Sequence, residues 1–441
     1  MRKMLFCTAV LLLATQVVAA DFDLQVEKAI LDNGLTLLTC EDHSVPTASV
    51  QTFVNVGSRD EDRPGITGLA HVFEHMMFRG TEKFPDYGAA VAPLGAQNNA
   101  YTSEDYTCYF INAQAKFLEQ LLEVESDRIR NLCFTEEAFR TELGPVKEER
   151  RRGIDDDPAG FLEVELYREA YTRHTYQHPV IGWEEDLEVN MTFTDGLQFK
   201  NRFYVPNNCV LVICGNIETA SVRDLVQKYY GDWEQGKPYI PQVNAEPPQT
   251  VERIRNFVWK DGQTAPLLRI GYHAPSIQSD FTSLATLRLI NEILFSRSGR
   301  LSRLLINELS LVESIYGDLN VRKDPGLLVI GARLHGDVSP AEVRDSVYSQ
   351  LELLKTVPIS TEELTRACNN LRAQMIYFLD RPARVAGAVG FYHLVGGDYQ
   401  TMIELYNLYS QIDAAKIMTV TAEVFDQYNR TVVSMVPKGT N

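Results

Sequence analysis

The stretch GLAHVFEHMMFRG, Gly68 to Gly80, sets two histidines and a glutamate among leucine, phenylalanine and methionine. The apolar spacing predicts a helix. At 3.6 residues per turn, His71 and His75 lie roughly 40° apart around the axis and one turn along it. Glu74 falls roughly 60° to the other side of His71, so all three share one face. Neutral imidazoles at i and i+4 can grip one zinc ion. A neighbouring glutamate that is not itself a ligand can take a proton from water, whose pKa zinc lowers to about 7. The competing reading of these five residues alone is a buried helix with two satisfied histidines. A catalytic zinc also needs a third protein ligand and an open position.

That ligand must come from elsewhere in the chain. The segment FRTELGPVKEERRRGIDDDP offers Glu142, Glu148, Glu149 and the run Asp155 to Asp157. On helical geometry Glu142 and Glu149 face the same way two turns apart, while Glu148 points elsewhere. Spacing leaves the choice open, and a solvated charged helix is the bland alternative for the whole segment.

The chain around these segments is globular in composition: 441 residues, 45% hydrophobic and 23% charged. Arg2 and Lys3 precede the apolar run MLFCTAVLLLATQVVAA, which ends before Asp21. This pattern predicts a signal peptide over residues 1–20, cut after Ala20, and export to a bacterial periplasm. No later segment is apolar for long enough to predict a membrane span. The formal charge is −17 and becomes more negative once Arg2 and Lys3 leave, which argues against nucleic acid as a partner. Cys40, Cys108, Cys133, Cys209, Cys214 and Cys368 remain beyond the leader. Their irregular spacing fixes no disulfide pairing, and runs such as NNCVLVICG suit buried thiols.

VEKAILDNGLTLLTCED and TASVQTFVNVGSRDE read as strands, with Asn33-Gly34 a strong turn signal. After the histidine helix, NNAYTSEDYTCYFINAQ alternates like a strand, and AKFLEQLLEVESDRIRNLCF has helical spacing. A charged helical region runs from about Thr135 to Tyr171, interrupted at Pro145 and Pro158. YVPNNCVLVICGNI reads as a buried strand. The Pro- and Gly-rich residues 236–252 read as a linker. Beyond it the order begins again: strands VERIRNFVWK and LLRIGYHAP, a helix from Ser283, another helical region, the strand PGLLVIGARLHG, further helices, and the closing strand TVVSMVPKG. The expected fold class is therefore α+β. Residues 21–235 and 253–441 form two homologous domains related by duplication, each a mostly antiparallel sheet covered by helices. No Walker loop or dinucleotide fingerprint occurs.

The order HxxEH is the inverzincin signature. With a glutamate some 75 positions on, it resembles the pitrilysin/insulinase family of zinc metallopeptidases. GLAHVFEHMMFRGTEKFP resembles that family's zinc-helix segment, and LGAQNNAYTSEDYTCYF its Gly-Asn-Ala-Thr strand. HTYQHPVIGWEEDL, FYVPNNCVLVICGNI, SGRLSRLLINE and NRTVVSMVPKG extend the likeness over nearly the whole chain beyond the leader, and most of all to the short two-domain bacterial subunits. The resemblance implies one zinc ion per chain held by His71, His75 and Glu149, with Glu74 as general base. It implies that Glu142 orients a ligand histidine through its other ring nitrogen. It implies that Asn99 and Ala100 lie on a strand that holds an extended peptide by backbone pairing.

Two features depart from the family's pattern. Gly144-Pro145 falls between the two glutamates, and proline costs about 3 kcal/mol in a helix interior, so the helix is expected to start or kink there. The Arg and Tyr, seven residues apart, that active members use to hold substrate and stabilise an oxyanion align here with Ile306 and Glu313. Arg300, Arg303 and Tyr316 are the nearest substitutes. The expectation is a zinc-bearing endopeptidase subunit for short unfolded peptides, paired with a homologous partner that supplies Arg and Tyr. The alternatives are a catalytically silent zinc-binding assembly subunit and a self-sufficient homodimeric peptidase.

Overall fold

A computed structural model describes residues 23–237, 239–260, 264–336 and 338–438. The expected leader lies outside them. The segment around Asn33-Gly34 is a hairpin of β1 (Glu27–Ile30) and β2 (Thr36–Glu41), and β3 (Thr47–Val54) follows it. Next come α1 (Leu69–Met76), β4 (Gln97–Thr102), β5 (Thr107–Gln114), α2 (Leu118–Asn131), α3 (Glu136–Arg150), α4 (Pro158–Ala170) and β6 (Cys209–Gly215). The second half contributes β7 (Arg253–Val258), β8 (Leu267–Ala274), α5 (Phe281–Phe295), β9 (Val312–Leu319) and β10 (Gly326–Leu334). It ends with α6 (Thr361–Phe378), α7 (Pro382–Val395) and β11 (Arg430–Val436). Among the described residues, no helix is long and apolar enough to cross a membrane.

The first sheet runs β1-β2-β6-β3-β5-β4 and the second β7-β11-β8-β10-β9. Apart from β1, the orders are the same when β2 to β6 are matched with β7 to β11. Each sheet has one parallel pair, β2 with β6 and β7 with β11, and is otherwise antiparallel. β6 is apolar throughout because both of its faces are covered: every residue of CVLVICG is buried. β4 and β9 occupy corresponding sheet edges.

The halves are not separate globules. α7 of the second half lies on β3 and β6 of the first sheet, and α4 of the first half lies on β8 and β11 of the second. One core therefore holds Phe53, Cys108 and Val212 together with Ile270, Ile330 and Val389. Another joins Leu162 and Leu166 to Leu327, Val329 and Val433. Gly390 lets α7 settle on Phe53: a Cβ there would lie 2.1 Å from the ring. Burying one such phenylalanine contributes about 1.5–3 kcal/mol.

The corresponding hairpin loops, β4–β5 and β9–β10, also meet. Arg322 Nη2 donates to Glu104 Oε1 at 2.5 Å, and the Lys323 backbone N–H to Asp105 Oδ2 at 2.9 Å. Arg59 Nε reaches Asp324 Oδ2 at 2.5 Å, and His174 Nε2 lies 3.0 Å from the same oxygen. Residues 239–250 form no helix or strand, yet they are strapped down. Glu246 accepts the backbone N–H groups of Thr172, Arg173 and His174 at 2.8–3.0 Å.

Two expectations need correction. The region before PGLLVIGARLHG is not all helix, because it contains β9. The chain from Glu136 to Arg150 is one helix with Pro145 inside it, its N-terminus capped by Thr135. Proline deprives the Thr141 carbonyl of its intrahelical donor. Thr141, Gly144 and Pro145 are all exposed, so water can satisfy that carbonyl. The six cysteines are free thiols, Cys133 exposed and the others buried.

Candidate metal centre

α1 is held before it can present anything. Leu69, Ala70, Val72, Phe73 and Met76 are buried, and the Phe73 ring centroid lies 4.6 Å from that of Tyr204 and 5.5 Å from that of Phe199. The buried Glu61 carboxyl accepts the N–H groups of Gly68 and Ala70, both at 2.8 Å, satisfying two donors at the N-terminal end of the helix. Gly68 and Gly182 cross at close range. Gly68 has φ 90°, and a Cβ on it would stand 2.4 Å from the Ile181 carbonyl oxygen. Asp186 accepts from both the backbone and the hydroxyl of Thr67, at 3.1 and 2.5 Å.

The apolar face being packed, His71, Glu74 and His75 turn toward α3 and β4. His71 Nε2 lies 3.7 Å and His75 Nε2 3.5 Å from Glu149 Oε2. One ligand atom from each of His71, His75 and Glu149 falls within 4.8 Å of the others. These separations are long for hydrogen bonds. They resemble the roughly 3.3–3.5 Å between ligand atoms placed about 2.0–2.2 Å from a tetrahedral zinc. Two imidazoles and a carboxylate form a donor set that suits zinc. The other acids are engaged elsewhere. Glu148 pairs with Arg151 and Arg152, Asp155 with Arg150, Asp156 with Lys260, and Asp157 caps α4.

Glu142, two turns before Glu149, lies 3.2 Å from His75 Nδ1 and accepts from Arg79 Nε at 2.6 Å. A carboxylate at Nδ1 selects the tautomer with its proton there, leaving the Nε2 lone pair toward Glu149. The hydrogen bond from His75, aided by Arg79, holds Glu142 below the usual carboxylate range despite its burial. The same bond raises His75. His71 behaves oppositely. Burial, with His75 beside it, lowers its pKa to about 4, and its Nδ1 is buried without a partner among the described residues. It is neutral at pH 7, as a ligand must be.

Glu74 stands beside this group and accepts from Thr102 Oγ1 at 2.6 Å. Burial raises its carboxyl against that hydrogen bond. Thr102 ends β4, the edge strand that carries Asn99 and Ala100, so the acid sits at the end of an unpaired sheet edge. Spacing gave no signal for Glu61 or Asp186. Thr102 shares a β4 face with Ala100, and Arg79 follows His75 at helical spacing, so both were open to notice.

The substitutes for an Arg/Tyr pair are engaged within the second half. Ile306 packs against its core and Glu313 binds Arg333 at 2.7 Å. Arg300 makes a two-pronged bond to Glu363 at 2.8 and 2.6 Å, and Arg303 lies 3.2 Å from Glu308. The Tyr316 ring lies against Gly331, with Arg269 5.4 Å from its centroid.

Residues 36–183 match the family described as Insulinase (Peptidase family M16), and residues 190–371 that described as Peptidase M16 inactive domain. A Helicobacter pylori protein named Zinc protease PqqE is 27% identical over 93% of this chain and 93% of its own length. A Bacillus subtilis protein named as the uncharacterized zinc protease YmxG is 24% identical over 91% of this chain and 96% of its own. The crystal structure of a protease from Helicobacter pylori superposes with a TM-score of 0.89 at 25% identity, covering 94% of this chain and all of that one. The periplasmic protease PqqL from Escherichia coli superposes at 0.76 with 18% identity, over 95% of this chain and 48% of its own.

Proposed function

We propose, from the premise that this chain belongs to the insulinase family of peptidases, family M16, that it is a zinc-dependent endopeptidase for short unfolded peptides. The observation that carries this reading is the convergence of His71, His75 and Glu149 beside a fourth group, Glu74, that is not among them. His71, His75 and Glu149 would hold one zinc ion, and Glu142 would fix the His75 ring. When bound, zinc supplies a Lewis acid that polarises the peptide carbonyl and acidifies water. Glu74 is the base. Thr102 holds Oε2, and Oε1 takes the proton of the attacking water and later delivers it to the leaving amine. Its raised pKa suits both halves of that task. The peptide lies extended along β4 at Asn99 and Ala100, pairing with the open backbone edge.

The groups that would help to steady the oxyanion are assigned to a homologous partner subunit carrying Arg and Tyr. What supports this is the engagement of Arg300, Arg303 and Tyr316 within the second half. The intact base speaks against a silent assembly subunit. Secretion to a periplasm follows from the leader pattern.

The test is cleavage of quenched fluorogenic peptides by the chain lacking residues 1–20, alone and with a homologous partner, with and without a chelator. Chelation is expected to abolish cleavage. Glu74→Gln should keep its zinc and lose about 10²–10⁴-fold in kcat. No cleavage of a broad peptide set in either condition would overturn the enzyme reading, and full activity alone would remove the partner.

A further inference from the structure

Arg288 of α5 is a cation at the floor of a cavity, and no carboxylate pairs with it among the described residues. The cavity, of about 500 Å³, lies between the β4–β5 edge and helices α6 and α7. Its walls are largely apolar, with Met375, Phe378 and Leu379 on one side. Aromatic rings link it to β4. Tyr101 stands edge-on to Tyr106 at 5.8 Å, Tyr106 to Phe391 at 6.0 Å, and Phe391 to Tyr392 at 5.1 Å. Arg288 lines the cavity beside Tyr392 of α7. The arginines of the adjoining cleft differ, because Arg381 and Arg384 both lie near Asp380.

Arg288 is half-buried, and a guanidinium without an anion among apolar walls is a ready partner for an acidic ligand. Tyr101 fixes where such a ligand comes from. It lies between Ala100, on the proposed peptide strand, and Thr102, which bonds Glu74. A peptide paired along β4 directs alternate side chains to the Tyr101 face.

We propose that this cavity is a specificity site that receives an acidic side chain of the peptide, within about two residues of the cleaved bond, with Arg288 as its counter-ion. Apolar neighbours of that acid fill the Met375 and Phe378 walls. The inference rests on the endopeptidase reading above and adds to it a substrate class: peptides with an acidic residue in an apolar context beside the scissile bond.

The test separates the two. Cleavage of a peptide library by the zinc-loaded chain, with a homologous partner, examines the enzyme reading. Binding is then read by fluorescence anisotropy on the Glu74→Gln chain in the same assembly. The probes are peptide pairs differing only by Glu or Gln at each position flanking the cleaved bond, each with a free or an amidated C-terminus. At one position Glu is expected to bind about tenfold tighter than Gln, whichever C-terminus is present. Arg288→Gln should erase that difference and Arg288→Lys retain part of it, with thermal melting verifying the fold. The peptide pairs decide the matter even if Arg288→Gln does not fold. Cleavage without Glu/Gln discrimination overturns the inference alone, as does a preference that follows the free C-terminus or survives Arg288→Gln. The absence of both binding and cleavage overturns the enzyme reading, and the inference with it.

Discussion

Glu142 joins His75 to Arg79, taking one at Nδ1 from 3.2 Å and the other at Nε from 2.6 Å. A carboxylate in that position makes the imidazole a better donor at its far nitrogen and fixes its ring. Glu142→Gln keeps the shape and removes the charge. It is expected to weaken zinc binding about 10–100-fold, measured by competition with a chromogenic chelator. Glu148→Gln, whose native carboxylate serves Arg151 and Arg152, should bind as the unaltered chain does; equal affinities in all three would remove Glu142 from the support of His75. At this scale the sequence was half readable. Helical spacing alone puts His71, Glu74 and His75 on one face. It did not select Glu149 over its acidic neighbours, because that choice depends on which arginines the other acids meet once α3 and the turn after it have formed.

Elements carry the next layer of control. Of the two readings at Pro145, a helix start or a kink, the first does not hold: α3 runs through the proline on an exposed stretch, Thr141, Gly144 and Pro145, where water can take the carbonyl left without a donor. β9 was missed for a related reason: VESIYGDL is an edge strand whose exposed positions blur the alternation that marks a half-buried one. β4, also an edge, was legible from the alternation of NNAYTSEDYTCYFINAQ, which does not show the turn that divides it from β5. Its last residue links the strand to Glu74, the proposed base. Thr102→Val removes the hydroxyl that holds Glu74 Oε2 while keeping a β-branched side chain of similar size. The expected result is a fall in kcat of about tenfold with KM nearly unchanged, and zinc content unaltered. A change in KM alone would instead make Thr102 part of the peptide-binding edge.

At the level of the whole molecule, the repeated order of strands and helices made the duplication readable, and the Pro-rich segment suggested two bodies joined by a tether. The exchange of α4 and α7 was not readable. An amphipathic helix records that it covers an apolar face, not whose face it covers. The β9–β10 loop then closes the junction, its Asp324 binding Arg59 and His174 of the first half. Burial pushes the Asp324 carboxyl up, but hydrogen bonds from His174 and Arg59 outweigh it and hold the group at about 2. An aspartate in the unfolded chain titrates near 3.9. Because the folded value is the lower one, the clasp contributes its full stability above about pH 4 and loses it as pH falls through 2. Asp324→Asn should therefore cost about 1–2 kcal/mol at pH 7, allowing for the partial exposure of the carboxylate. The gap from the unaltered chain should narrow to roughly half by pH 3. Urea unfolding of both chains across that range measures it, and a gap independent of pH would mean that Asp324 holds the halves together by shape and not by charge.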